Sequence, residues 1–143
     1  MPYATAAQME EQFGTRELIA LTDRDNVGAV DSAVLARALA DADAEIDSYL
    51  AGRYTLPLAG TFPALVRHAC NLARYHLSGA DVTEVEAVRN RYKDAIRWLE
   101  SVRDGKTRLA ADAAGLPATE PARISVVGPE RTFTSDTLAD FTG

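Results

Sequence analysis

Cysteine is close to absent. Cys70 is the single one, so no disulfide can close within the chain, and a reducing compartment is consistent with that. No apolar run approaches the length needed to span a bilayer. The opening stretch MPYATAAQMEEQFG lacks a basic segment followed by an apolar one, so it is not expected to be a secretory leader. Positive charge is in the minority: 15 Lys and Arg stand against 21 Asp and Glu, for a net charge of -6. That balance argues against a nucleic-acid surface built on bulk positive charge. It fits an ordinary acidic protein, and equally an acidic channel wall that repels a duplex and lets it slide.

Recognisable catalytic patterns are missing as well. There is no Gly-rich phosphate loop, no nucleophile beside an evident base, and no ligand cluster with metal spacing. His68, Cys70 and His76 come nearest. The two histidines lie eight residues apart, roughly 12 Å along a helix, too far to share an ion. They are expected to pack or to bond backbone carbonyls, with Cys70 a small buried hydrophobe. No enzymatic activity, cofactor or metal is expected.

What is present is helical periodicity. The chain has 143 residues, 47% of them hydrophobic, enough for one modest domain with a real core. Thr5 with Gln8 reads as a capping box for a first short helix, with Met9 and Phe13 on one face and Gly14 ending it. Thr15 reads as the cap of a second, carrying Leu18, Ile19 and Leu21. From Asp31 or Ser32 to Gly52, Val34, Leu35, Ala38, Leu39, Ala42, Ile46, Tyr49 and Leu50 recur on one face. Pro57 and Pro63 forbid a continuous helix beyond it, and Pro63 suits the first turn of a helix over 62–78. There Leu65, Val66, Ala69, Leu72, Ala73 and Leu77 form the buried side, and Arg67, Asn71, Arg74 and Ser78 a polar stripe. Thr83 with Glu86 forms a capping box for a last long helix over 84–104. Its stripe is Val85, Val88, Tyr92, Ala95, Ile96, Leu99 and Val102, bordered by Trp98.

Two features of charge stand out. Asp41, Asp43, Glu45 and Asp47 occupy every second position of the long helix. At about 100° per residue, Asp41 and Glu45 flank one side of the apolar face and Asp43 and Asp47 the other. They do not converge, so they make a poor metal site. Acids on both edges suit either a solvated border or a wedge between subunits. Arg89, Lys93 and Arg97, spaced by four, form a basic ridge on the last helix, either solvated, ion-pairing or able to meet phosphates. The seven together are candidate subunit-interface residues, through pairing of ridge and acids between neighbouring copies.

The loop from Asp23 to Asp31 is similar to the start of an EF-hand. Acids stand at its first, third and ninth positions and Gly28 at the sixth, but Val27 and Val34 occupy ligand positions five and twelve. A structural turn is the expectation, with Gly28 allowing the bend and Asp31 capping the long helix.

After residue 105 the composition shifts. Residues 106–123 are rich in Ala, Thr, Gly and Pro and read as a linker. Ile124–Val127 and Arg131–Thr134 read as short strands around a Gly128-Pro129 turn. A short apolar strand and the large groups Phe133, Leu138 and Phe141 are marginal alone, so residues 106–143 are expected to be an assembly arm that docks on another chain, a neighbouring copy or the portal; the other reading is that the arm folds back on its own helices. Its candidate contacts are Ile124, Val126, Phe133, Leu138 and Phe141. The fold class is thus all-α: a small helical bundle over 1–105 with an extended C-terminal arm carrying short β-strand segments.

The run TDRD, a short turn, VDSAVLARALADADAEIDSYLAGRY and LPL resembles the Mu-like prophage connector family. YAT…QMEEQFG, RWLESVRDGK and RTFTSDTLADF fit it too. The resemblance implies a head-tail connector, or adaptor, of a tailed phage. It would form a homo-oligomeric ring, twelvefold to match the portal protein, and continue the DNA channel toward a tail-side neck or stopper protein. Double-stranded DNA would pass without specific binding, no membrane is involved, and the place is the virion neck, after assembly in the bacterial cytoplasm. The other reading is a small helical DNA-binding or regulatory protein of a prophage. The acidic balance and the absence of a dense basic recognition helix count against that one.

Overall fold

The computed structural model describes residues 2–79 and 86–109. Five helices follow in order: α1 Ala6–Phe13, α2 Thr15–Thr22, α3 Ser32–Leu50, α4 Pro63–Ser78 and α5 Glu86–Arg103. Among the described residues the fold is helical throughout. The capping role of Thr83, the strands expected over 124–127 and 131–134, and Ile124, Val126, Phe133, Leu138 and Phe141 all lie outside the described residues.

Local chemistry sets most helix ends. The Thr5 hydroxyl accepts the Gln8 N–H while the Gln8 side chain accepts the Thr5 N–H, a complete capping box. Asp31 caps α3, its carboxylate accepting from Ala33 N at 2.8 Å and Val34 N at 3.1 Å. Pro63 occupies the first turn of α4, where its missing N–H costs nothing. One expected cap is corrected. Thr15 does not cap α2; Gly14 does, and Thr15 is already helical. Gly14 ends α1 and starts α2 at φ 85°, so the joint is one residue long, and the Thr15 hydroxyl instead donates to Glu10.

Helices α3, α4 and α5 pack on one another, and α1 and α2 lie across α3 and α4. Ala42, Ile46 and Leu50 of α3 meet a core that includes Ala69, Leu72 and Ala73 of α4 and Ala95, Leu99 and Val102 of α5, all without exposed surface. Burying each large side chain contributes about 1.5–3 kcal/mol. The α1–α2 pair is fastened from outside: Arg74 of α4 pairs with Glu17 and sits 4.8 Å from the centre of the Phe13 ring. Beyond α5 the chain turns at Gly105, φ 79°, where Lys106 N and Thr107 N bond back to the Ser101 carbonyl. A Cβ on Gly105 would stand 2.3 Å from the Arg53 guanidinium. Leu109 is then buried, and its N–H donates to the Tyr54 hydroxyl at 3.2 Å. Residues 106–109 therefore lie against the helical core.

His68 and Cys70 are core residues. Cys70 has no exposed surface, and burial pushes its thiol up to about 11. His68 is 7% exposed and stacks on Trp98 with ring centroids 4.4 Å apart. Neither ring nitrogen has a hydrogen-bond partner among the described residues. Its partner is thus an indole ring rather than a backbone carbonyl. Desolvation, with a smaller push from Arg67 and against the pull of Asp94, lowers the imidazole pKa to about 4. The unfolded chain takes up this proton near pH 6.5 and the folded one only near 4. The stabilisation is complete above pH 6.5 and is lost as pH falls through that window. Urea unfolding at pH 7 and 4.5 checks it. The wild type should lose about 2–3 kcal/mol more than His68→Phe, which keeps the stack without the titration. Equal losses would contradict the assignment.

Candidate functional site

The acids of α3 fall on two flanks, and three of them bond within the chain. On one flank, Glu45 accepts the Tyr92 hydroxyl of α5 at 2.8 Å and lies 3.0 Å from His76 Nε2 of α4. Tyr92 stacks on Tyr75 at 3.9 Å, so one carboxylate gathers two helices. Burial, then the Glu45 hydrogen bond and charge, raise the Tyr92 phenol above its ordinary value of 10. On the other flank, the Tyr3 N–H donates to Asp43 at 2.9 Å and the Tyr3 hydroxyl to Asp47. These bonds tie the segment before α1 to the middle of α3. The Tyr3 phenol is raised by burial first, then by Asp47. Asp43 is raised by burial and by Asp47, against the Tyr3 N–H that favours its charge.

The fourth acid, Asp41, is exposed and lines a groove with Arg24, Val34, Arg37, Ala38, His76 and Leu77. On α5, Arg89 is half-buried, and its Nε has no hydrogen-bond partner among the described residues. Lys93 is exposed, and Arg97 meets Asp94 at 3.5 Å with both side chains about 70% exposed or more. A pair so open to water stabilises little. Lys93 and Arg97 of the basic ridge therefore face outward, and Arg89 does so only in part. Of the seven candidate interface residues, Asp41, Lys93 and Arg97 are exposed, while Asp43, Glu45 and Asp47 hold their own chain together.

The acidic loop is built around its own backbone. Asp23 accepts Val27 N at 2.9 Å and Gly28 N at 2.7 Å, and these bonds hold its carboxyl below the usual range. Gly28 has φ 79°, a conformation costly for a residue with a Cβ. The buried Thr22 hydroxyl donates to the Leu18 carbonyl and accepts Asp31 N, closing the loop's two ends. Asp23 and Asp31 are thus engaged as turn and cap. Among the described residues no three His, Cys, Asp or Glu side chains come together as a metal site. No helix there is long and apolar enough to cross a membrane.

Residues 3–127 match the family described as Bacteriophage Mu, Gp36. The chain belongs to that family. Gene product J of Escherichia phage Mu is 42% identical over 108 residues, 75% of each chain. The Mu-like prophage FluMu protein gp36 of Haemophilus influenzae is 36% identical over 107 residues, 75% of this chain and 74% of that protein. This Gp36-family chain is therefore a phage protein. The family match takes in all five helices and stops before Phe133, Leu138 and Phe141.

In the Gp36-family core, the Tyr and His partners of the α3 acids lie 31 to 47 residues away in sequence, where no local spacing could signal them. Their arrangement suits anchoring: carboxylates accept from phenols and an imidazole, with no nucleophile among these contacts. A double-mutant cycle of Glu45→Gln and Tyr92→Phe measures one anchor. The expected coupling is about 0.5–1.5 kcal/mol in unfolding free energy, and an additive pair would show the bond to be idle.

Proposed function

We propose that this Gp36-family protein is a virion structural protein, a head-tail connector that forms a ring beneath the portal and continues the DNA channel toward the tail. The observation that carries the reading is kinship to phage Mu and Mu-like prophage proteins across the helical core. The charge layout supports it. Three of the acids that flank the apolar seam of α3, Asp43, Glu45 and Asp47, are engaged inside the protomer, whereas Lys93 and Arg97 on α5 and Asp41 on α3 are exposed. Between copies, that ridge pairs with Asp41 and other acids of a neighbour. A rotational array of one such heterologous contact closes into a ring.

The protein does no chemistry in this role and holds no cofactor. Its partners are copies of itself, most simply twelve, the portal on one side and a neck or stopper protein on the other. The duplex passes without sequence-specific contact, in keeping with the net charge of -6. Residues 1–105 supply the ring, residues 106–109 stay on its core through Leu109, and the rest of the segment to residue 143 is an arm that docks on the portal or a neighbouring copy during assembly.

Deletion of the gene from an inducible phage, followed by electron microscopy of the lysate, tests this. DNA-filled heads without tails are expected, with tails restored by the wild-type gene in trans. Normal tailed particles lacking the protein would overturn the reading. A sequence-specific shift of duplex DNA at physiological salt would point to the regulator instead.

A further inference from the structure

The groove beside Asp41 has an apolar floor and two arginines at its edge. Ala38 and Leu77 are buried in it and Val34 partly so. Arg24 and Arg37 line it, both exposed, and neither guanidinium donates a hydrogen bond to, or forms an ion pair with, any described residue. Arg37 does not pair even with Asp41, one turn along the same helix. Two guanidiniums against one carboxylate leave the groove net positive within a chain of net charge -6. Such a groove suits a short segment that carries carboxylates around a large apolar side chain.

The chain contains one such segment beyond Leu109. Asp136-Thr137-Leu138-Ala139-Asp140-Phe141 has two acids, two large apolar residues and no base. Of the earlier acids, Asp112 is three residues from Leu109 and reaches only about 10 Å, too short for the groove, while Glu120 and Glu130 each stand within three residues of an arginine, Arg123 and Arg131. Leu109 is fixed on Tyr54, just past the end of α3, while the groove lies along the first half of that helix. From Val34 to Leu50 is about 24 Å at 1.5 Å per residue. The 27 residues from Leu109 to Asp136, at about 3.3–3.6 Å per residue when fully extended, are long enough to cross that gap.

We infer that residues 136–141 dock in the groove lined by Arg24, Val34, Arg37 and Leu77 of the same molecule, storing the arm on the free protein. The carboxylates of Asp136 and Asp140 meet the two guanidiniums, and Leu138 lies on the apolar floor. Storage keeps Leu138 and Phe141 from water until a partner offers a better surface. It is a property of the free chain, whatever assembly that chain later joins.

Paramagnetic broadening on the full-length protein tests it. A nitroxide goes on Thr142→Cys; the native Cys70 has no exposed surface and stays unlabelled. Isotope-labelled, spin-labelled chains are diluted tenfold into unlabelled wild type, so that only contacts within one molecule register. Amide signals of Val34, Arg37 and Leu77 should fall to less than half. Arg24→Glu with Arg37→Glu should restore them, and adding Asp136→Arg with Asp140→Arg should bring the broadening back. Unchanged signals in the diluted sample would overturn the inference. So would broadening that survives the arginine reversals. So would broadening confined to a mixture in which label and isotope sit on different chains, because the arm would then rest on a neighbour. Each outcome is read on the isolated protein and is separate from the fate of tails in the lysate.

Discussion

Ala42, Ile46 and Leu50 have no surface left to water, and the rest of the molecule is arranged around that seam. A helix buried along one face must border its apolar stripe with groups that tolerate half-burial. In α3 those groups are carboxylates. Left unpaired there, each would lose hydration with nothing in return. The fold answers with donors from distant parts of the chain: the Tyr3 N–H and hydroxyl on one border, the Tyr92 hydroxyl and His76 on the other. The same bonds fix where the first residues lie, how α5 leans on α3, and which way α4 turns its last coil.

Much of this was legible in the sequence where the cause is local. The Thr5–Gln8 box, the Asp31 cap and Pro63 in the first turn of α4 each depend on residues within one helical turn. The apolar stripes were legible because helical periodicity repeats across four or five turns. The two-flank layout of the acids followed from the same geometry. Thr15 failed as a cap because a neighbouring glycine with φ 85° made a tighter joint available, and Glu10 took its hydroxyl. The His68–Trp98 stack and the tyrosine partners of Asp47 and Glu45 were not legible. Nothing in the spacing of residues 44 or 47 apart reports that they meet.

The functional reading came from a different source than the fold. Ordinary residue types at ordinary spacing name no reaction. Kinship to phage Mu proteins supplies the context, and the structure adds a sorting of charges. Asp43, Glu45 and Asp47 are committed inward, while Lys93 and Arg97 on α5 and Arg24 and Arg37 around the groove are exposed. The commitment is physical as well as topological. Withdrawing Glu45 or Asp47 toward another subunit would strand a half-buried tyrosine hydroxyl, at about 1–3 kcal/mol each.

The central claim is that the α3 flanks belong to the protomer and the α5 ridge to its boundary. A reconstruction of the phage neck at side-chain resolution tests it most directly. The account predicts Lys93 and Arg97 at the border between adjacent copies, with Asp43, Glu45 and Asp47 still bonded to Tyr3, His76 and Tyr92 of their own chain. A subunit border running through Asp43 and Asp47, with Tyr3 displaced from them, would contradict it.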